Sequence, residues 1–210
     1  MRRIVWITVF TLAYLSPEAR AIAQDEPPES EQESTTQAAT SDEETDDSLS
    51  DLTVPGEPHE LLAGTVGDWN LTIKIWTAPD TEPVESTGSA TGRWILGDRF
   101  VETTYEGEVM DRHFEALKIE GFEKATLEYV TTWRDNLGTY TMIFRGTCGS
   151  TCVTRTMMAD FLDPVSSTQL KIKGVTTLTE DEGYSYESFV VTPDGKEFKN
   201  MELVAERRTP

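Results

Sequence analysis

From Gly67-Asp68-Trp69 to the C-terminus the chain reads as a train of about ten short strands, and that pattern leaves few folds open. The first strand is the clearest. Trp69, Leu71, Ile73 and Ile75 fall on one face, with Asn70, Thr72 and Lys74 opposite, the period of two that marks a half-buried strand. Further strands are expected over 87–96, 100–106, 113–122, 127–134, 138–145, 151–158, 169–179, 184–192 and 198–206. Gly88 and Gly92 are bend points within the second. Leu96-Gly97-Asp98-Arg99 predicts a tight two-residue type II′ turn at Gly97-Asp98. Asp135-Asn136-Leu137-Gly138, Asp163-Pro164 and Pro193-Asp194-Gly195 break the chain again. No helical period runs long enough to cross a sheet, which argues against a parallel α/β fold. No internal repeat suggests a propeller or solenoid. The fold class expected is all-β: a single antiparallel up-and-down barrel, closed so that no strand edge is exposed. Residues 57–64, with Pro58 in the first turn and Gly64 at the end, predict a short helix that caps one end. Trp69 is expected to plug that closed end. Barrels of about this size hold either side chains or one small ligand.

Two segments precede the strands. Met1-Arg2-Arg3 is basic, residues 4–15 carry no charge, and Ala21-Ile22-Ala23 is a small-x-small exit site. Residues 1–23 therefore read as a signal peptide cleaved before Gln24, which implies export to a periplasmic or extracellular space. The apolar run falls short of the roughly twenty residues a spanning helix needs, which weighs against the rival reading of an uncleaved anchor. No cysteine near the exit site offers a lipid attachment point. Residues 24–54 hold eleven Asp or Glu and no Lys, Arg or aromatic residue. Such a stretch buries too little apolar surface to offset its ordering entropy, and a disordered acidic linker is expected. A calcium-binding or cationic-surface tail is the sharper alternative, and the linker lacks the fixed ligand spacing of a calcium loop. The remaining 55–210 is one domain by length, enough for one core. Of the chain's 38 acids and 18 Lys or Arg, the domain keeps 26 and 15, a net charge of −11. That excess argues against nucleic acid and against docking on an anionic lipid surface, so no nucleic-acid partner and no membrane association after signal cleavage are expected; oligomeric state is left open.

Four segments of the domain carry a resemblance. They are Leu62-Ala63-Gly64-Thr65-Val66-Gly67-Asp68-Trp69, Ile95-Leu96-Gly97-Asp98-Arg99-Phe100, the run from Tyr129 through Trp133-Arg134-Asp135-Asn136 to Thr139, and Pro193-Asp194-Gly195-Lys196-Glu197-Phe198. In this order they resemble domain of unknown function 1579 over nearly all of 55–210. The resemblance implies a lipocalin-like or calycin-like barrel, no established activity, and no catalytic residues to carry over. Cys148-Gly149-Ser150-Thr151-Cys152 departs from the usual pattern.

The chemistry-bearing residues are few. Cys148 and Cys152 suit a local disulfide, which an exported protein can form. A redox pair would show Cys-x-x-Cys near a βαβ unit, and zinc would need about four ligands; no metal site is expected. His59 falls in the capping helix and His113 near a strand start. Some ten-stranded barrels bind haem through a histidine, but neither of these sits deep in a late strand, and no cofactor is expected. Glu102, Glu115 and Glu187 lie within strands. If Glu102 and Glu187 face inward they form an acid–base pair; otherwise they face solvent or pair with Arg93, Arg134 or Arg155. No nucleophile elbow, zinc-protease motif or phosphate loop occurs, and no catalytic residue is assigned. Asn70-Leu71-Thr72 matches a glycosylation sequon but lies inside a strand. The aromatic and Met residues are the stronger lead. Trp94, Tyr105, Trp133, Tyr140, Met142, Met157, Tyr186 and Phe189 come from several strands, and inward members would line an apolar cavity with a few polar handles. The leading expectation is a binding module for a small apolar or amphipathic molecule. The alternatives are an interaction domain with a filled core and a barrel enzyme using carboxylates.

Overall fold

A computed structural model describes residues 52–163 and 166–209. The leader expected over 1–23, and the acidic segment expected over 24–54 as far as residue 51, lie outside the described residues. A helical turn α1 (Glu57–Glu60) runs into a 3-10 helix (Leu61–Thr65). Ten strands follow: β1 (Gly67–Ile75), β2 (Val84–Ile95), β3 (Phe100–Val109), β4 (Arg112–Glu123), β5 (Glu128–Asp135), β6 (Met142–Cys148), β7 (Thr154–Leu162), β8 (Gln169–Leu178), β9 (Tyr184–Val191) and β10 (Glu197–Arg207). Each pairs antiparallel with its sequence neighbour, and β10 pairs with β1, closing the barrel. This is the up-and-down architecture that the strand train predicts.

Alternation decides what enters the lumen. In β1, Trp69, Leu71 and Ile73 are buried while Asp68, Asn70 and Thr72 are exposed. Register carries that phase around the ring, since directly opposed residues share a face. Trp69 faces Ala90, Ala90 faces Tyr105, and Tyr105 faces Ala116. Many outer positions of β1 to β3 are polar, among them Asn70, Thr72, Thr87, Thr91, Arg93, Thr104 and Glu106. Among the described residues no helix is long and apolar enough to cross a membrane.

The short helix closes the end at which β1 begins. Trp69 is fully buried, and its Nε1–H donates to the Thr65 carbonyl at 3.2 Å. Leu62 is fully buried beneath the helix. Tyr129 donates its hydroxyl proton to the Pro58 carbonyl at 3.1 Å, and Arg155 donates to the Leu61 carbonyl at 3.2 Å. His59 is buried edge-on to Phe122 and accepts the Gly56 N–H on Nδ1 at 3.1 Å. Burial lowers its pKa, which keeps the imidazole neutral.

Several strand boundaries differ from expectation, and three of the differences have a clear local reason. The β2–β3 connection spans four residues, not two, because Ile95 pairs with Phe100. Leu96, Gly97 and Asp98 all take positive φ, and the Arg99 guanidinium donates to the Leu96 and Gly97 carbonyls, stabilising the wider turn. Strand β6 starts at Met142 and not near Gly138. The Asp135 carboxylate accepts from Trp133 Nε1, the Leu137 N–H and the Tyr140 hydroxyl at 2.8, 3.0 and 2.6 Å, which holds that stretch as a loop. Strand β7 starts at Thr154 because Cys148 and Cys152 are joined, with Cα atoms 4.8 Å apart, and their loop occupies the preceding residues. Closing so short a loop contributes at most about 2 kcal/mol in the chain-entropy model.

Candidate functional site

The buried apolar side chains form two clusters, where a filled small domain usually shows one. The first holds Trp69, Leu71, Ile73, Tyr105, Tyr184 and Leu203, from β1, β3, β9 and β10. The second holds Leu62, Val101, Tyr129, Phe144, Met157 and Ile172, from the capping helix, β3 and β5 to β8. Trp133 packs against both. A polar group accompanies them in the lumen. On β4 the inward phase carries Lys118 and Glu120, with side chains 12% and 3% exposed. Arg155 enters from β7 and is 2% exposed.

Glu120 joins the two cations. Its Oε2 lies 3.0 Å from Lys118 Nζ, and its Oε1 lies 3.2 Å from an Arg155 guanidinium nitrogen. Burial alone would raise the Glu120 pKa. The Arg155 guanidinium, and after it the Lys118 ammonium, outweigh burial and hold the carboxyl at about 2. Arg155 also lies over the Tyr129 ring, 5.2 Å from its centroid. Register places Thr103 opposite Lys118 and Thr131 opposite Glu120. Thr103, Thr131 and Ser188 are all buried. The Tyr105 hydroxyl lies close to those of Tyr184 and Thr103, and burial pushes the pKa of Tyr105 and Tyr184 upward, so both phenols stay protonated.

Most of the aromatic and Met residues picked out in the sequence converge here. Tyr105 and Met157 are buried in the lumen, and Trp133, Met142 and Tyr186 face it half-buried. Trp94 faces inward near the capped end, beside the cluster of Leu62 and Val101. Tyr140 stands off the strands at the open end, bound to Asp135 and edge-on to Phe161. Phe189 is a correction. It occupies the outward phase of β9, because Tyr184 and Ser188 take the inward one, and Lys173 and Lys199 lie over its ring at 4.4 and 5.9 Å. Two lysine stems cover it in place of a core.

The acid–base pairing considered for Glu102 and Glu187 does not form. Both lie on the outer face, where Glu102 accepts from Arg93 Nε at 3.0 Å and Glu187 pairs with Lys199. Glu115 is exposed next to His113. Sequence reasoning missed the carboxylate that does enter the lumen, Glu120, together with Lys118. On β4 the outward phase carries Leu117 and Ile119, so polarity alone points the wrong way. Phe114, Ala116 and Phe122, two residues apart or a multiple of two, are the signal that fixes the inward phase. Among the described residues no group of three or more His, Cys, Asp or Glu is placed to hold a metal ion.

Two clefts of about 500 and 540 Å³ also occur. One crosses β2 to β5 and includes Thr91, Thr104, Glu106 and Arg134; the other lies by the β1–β2 and β3–β4 connections and includes Val84, Glu85, Glu108 and Met110. Both are open, and much of their lining is outward-phase polar side chains, unlike the apolar concavity typical of a small-ligand site.

No curated protein matches this chain in sequence. Among solved structures, that of Rv2717c from M. tuberculosis is similar with a TM-score of 0.54 at 13% identity, covering 74% of this chain and 100% of its own. At that identity the likeness concerns the barrel fold alone. The profile described as protein of unknown function (DUF1579) matches residues 54–207, most of the chain, and the chain belongs to that family.

Proposed function

We propose that this is an exported barrel that takes a small amphipathic molecule into its lumen through the end opposite the capping helix. The observation that carries this reading is the divided core. Two apolar clusters share the lumen with a set of buried polar groups, and the inward side chains toward the uncapped end stay half-buried. Phe114, Met142, Phe161, Val190 and Met201 belong to this outer tier. A side chain that faces a lumen yet keeps accessible surface borders space that water reaches. An apolar entry tier above a few polar groups is the usual form of a small-ligand site.

Binding is tested with Nile red, a neutral apolar dye, and by native mass spectrometry of the protein as purified from its source. A saturable 1:1 dye signal, lost when Met142→Trp fills the outer tier, is expected. An unmodified mass together with no dye binding would overturn the reading in favour of a filled core.

Export rests on the leader pattern and is compatible with the Cys148–Cys152 disulfide, since such bonds persist in oxidising compartments. Amino-terminal sequencing of protein recovered from expressing cells should begin at Gln24. A chain that still begins at residue 1, recovered from the cytoplasm, would sink the export reading.

A further inference from the structure

We infer that the Cys148–Cys152 bridge is a redox latch on the capping helix. Oxidised, it holds the helix seated over the lumen; reduced by a dithiol from outside, it lets that end of the barrel loosen. The inference rests on the fold and not on the identity of any lumen ligand.

The bridge sits where chain entropy gains little. Its two cysteines have a sequence separation of 4. The shorter the closed loop, the less entropy a bridge removes from the unfolded chain. A staple serving the whole barrel would join residues far apart in sequence. This one joins the end of β6 to the turn ahead of β7, so its effect is local.

Two lines of contact lead from the bridged turn to the cap. Cys148 keeps the inward phase of Phe144 and Gly146 and packs against the cluster that holds Leu62. Directly opposite it on β7 stands Arg155, which donates to the Leu61 carbonyl at the start of the 3-10 helix. On the other side, the Val153 carbonyl, next to Cys152, accepts the Leu178 N–H at 2.9 Å. The Leu178 side chain then fills the space beside Gly64, with a methyl carbon 2.6 Å from where a Cβ on that glycine would stand. The bridged turn thus reaches the 3-10 helix both at Leu61 and at Gly64. Within the turn, Cys152 donates its N–H to the Gly149 carbonyl at 2.9 Å and takes a φ of 50°. A residue with a side chain seldom holds that conformation untethered. Opening the bridge removes the tether.

A reductant can reach the bridge. Gly149, Ser150 and Thr151 are exposed, and both cysteines are half-buried. The sequence holds two cysteines, both in this bridge, so the exchange partner is a second molecule. A thiolate of the external dithiol attacks one sulfur and forms a mixed disulfide. Its second thiol resolves that bond and leaves as part of the partner's own disulfide. Two electrons and two protons end on Cys148 and Cys152.

The test measures hydrogen exchange by NMR on the purified protein when oxidised, when reduced with dithiothreitol, and in the double variant Cys148→Ser, Cys152→Ser. Thiol titration should count two free thiols in the folded, reduced protein. Two protons report on the cap: the Val66 amide, which donates to the Ala63 carbonyl, and the Trp69 indole N–H, which donates to the Thr65 carbonyl. Both should exchange at least about fivefold faster in the reduced protein and in the variant. The amides of Thr104 to Gly107 in β3, paired on both sides and away from the bridge, should stay within about twofold. Unchanged exchange at Val66 and Trp69 with two thiols free would overturn the latch. Loss of the whole fold on reduction would overturn it too, since the bridge would then be a general staple. A bridge that dithiothreitol cannot open without denaturant would also overturn it.

Discussion

Replacing Glu120 with glutamine is expected to destabilise the barrel by about 3–5 kcal/mol in urea unfolding at neutral pH. The carboxylate is 3% exposed and lies between Lys118 and Arg155. Without its charge, two cations face one another in a site that water scarcely enters. The amide would also set its NH2 group against the Lys118 ammonium or the Arg155 guanidinium, donor against donor. The same residue sets a pH signature. Its carboxyl has a pKa of about 2 in the fold against 4.5 for an ordinary glutamate, because Arg155 and Lys118 outweigh the opposing effect of burial. A carboxylate depressed in the fold contributes stability that is fully present above its unfolded pKa. That contribution is lost as pH falls through the folded value. The wild-type chain should therefore lose on the order of 3 kcal/mol from this group between about pH 4.5 and 2, and Glu120→Gln should lack that component. Glu123 and Asp194, held by Arg145 and Lys196, are also depressed, but they lie at the surface where solvent screens them. A variant that unfolds at the wild-type urea midpoint and keeps the wild-type acid slope would show that Glu120 is not the anion matched to these cations.

The ring of strands was legible in the sequence because its devices are local. Alternation in β1 and the turn at Pro193-Asp194-Gly195 each act within a few residues, and Gly195 takes the positive φ, 80°, that the turn needs. The capping helix was equally legible, through Pro58 in its first turn and Gly64 near its end. The interior was read less well, because it depends on phase around a closed ring. In β9 the residues Phe189 and Val191 look as well suited to a core as Tyr184 and Tyr186. Only closure through β8 and β10 places Phe189 outside, between Lys173 and Lys199. In β4 closure turns a lysine and a glutamate inward and an isoleucine outward, against local polarity. The cation that explains this, Arg155, is 35 residues further along and three strands away, beyond the reach of any short-range pattern.

A large backbone effect is expected at Gly92, where alanine should cost about 3 kcal/mol, the upper end of what overpacking usually costs. A Cβ built there would stand 2.1 Å from the Thr65 carbonyl oxygen and 3.1 Å from its carbon. The obstacle is backbone, so no rotamer change relieves it. That same oxygen accepts the Trp69 indole proton. Any shift that makes room for the methyl group lifts the 3-10 helix and breaks the bond that seats the plug. It also strains the Arg155–Leu61 and Tyr129–Pro58 contacts along the helix. Gly149→Ala is the matched control: nothing lies within 4 Å of its Cβ position, and the change should stay within about 0.5 kcal/mol. Urea midpoints of the two variants make the comparison, with the blue-shifted emission of a fully buried Trp69 expected to weaken in Gly92→Ala alone. If the two glycines prove equally replaceable, the helix does not rest on β2.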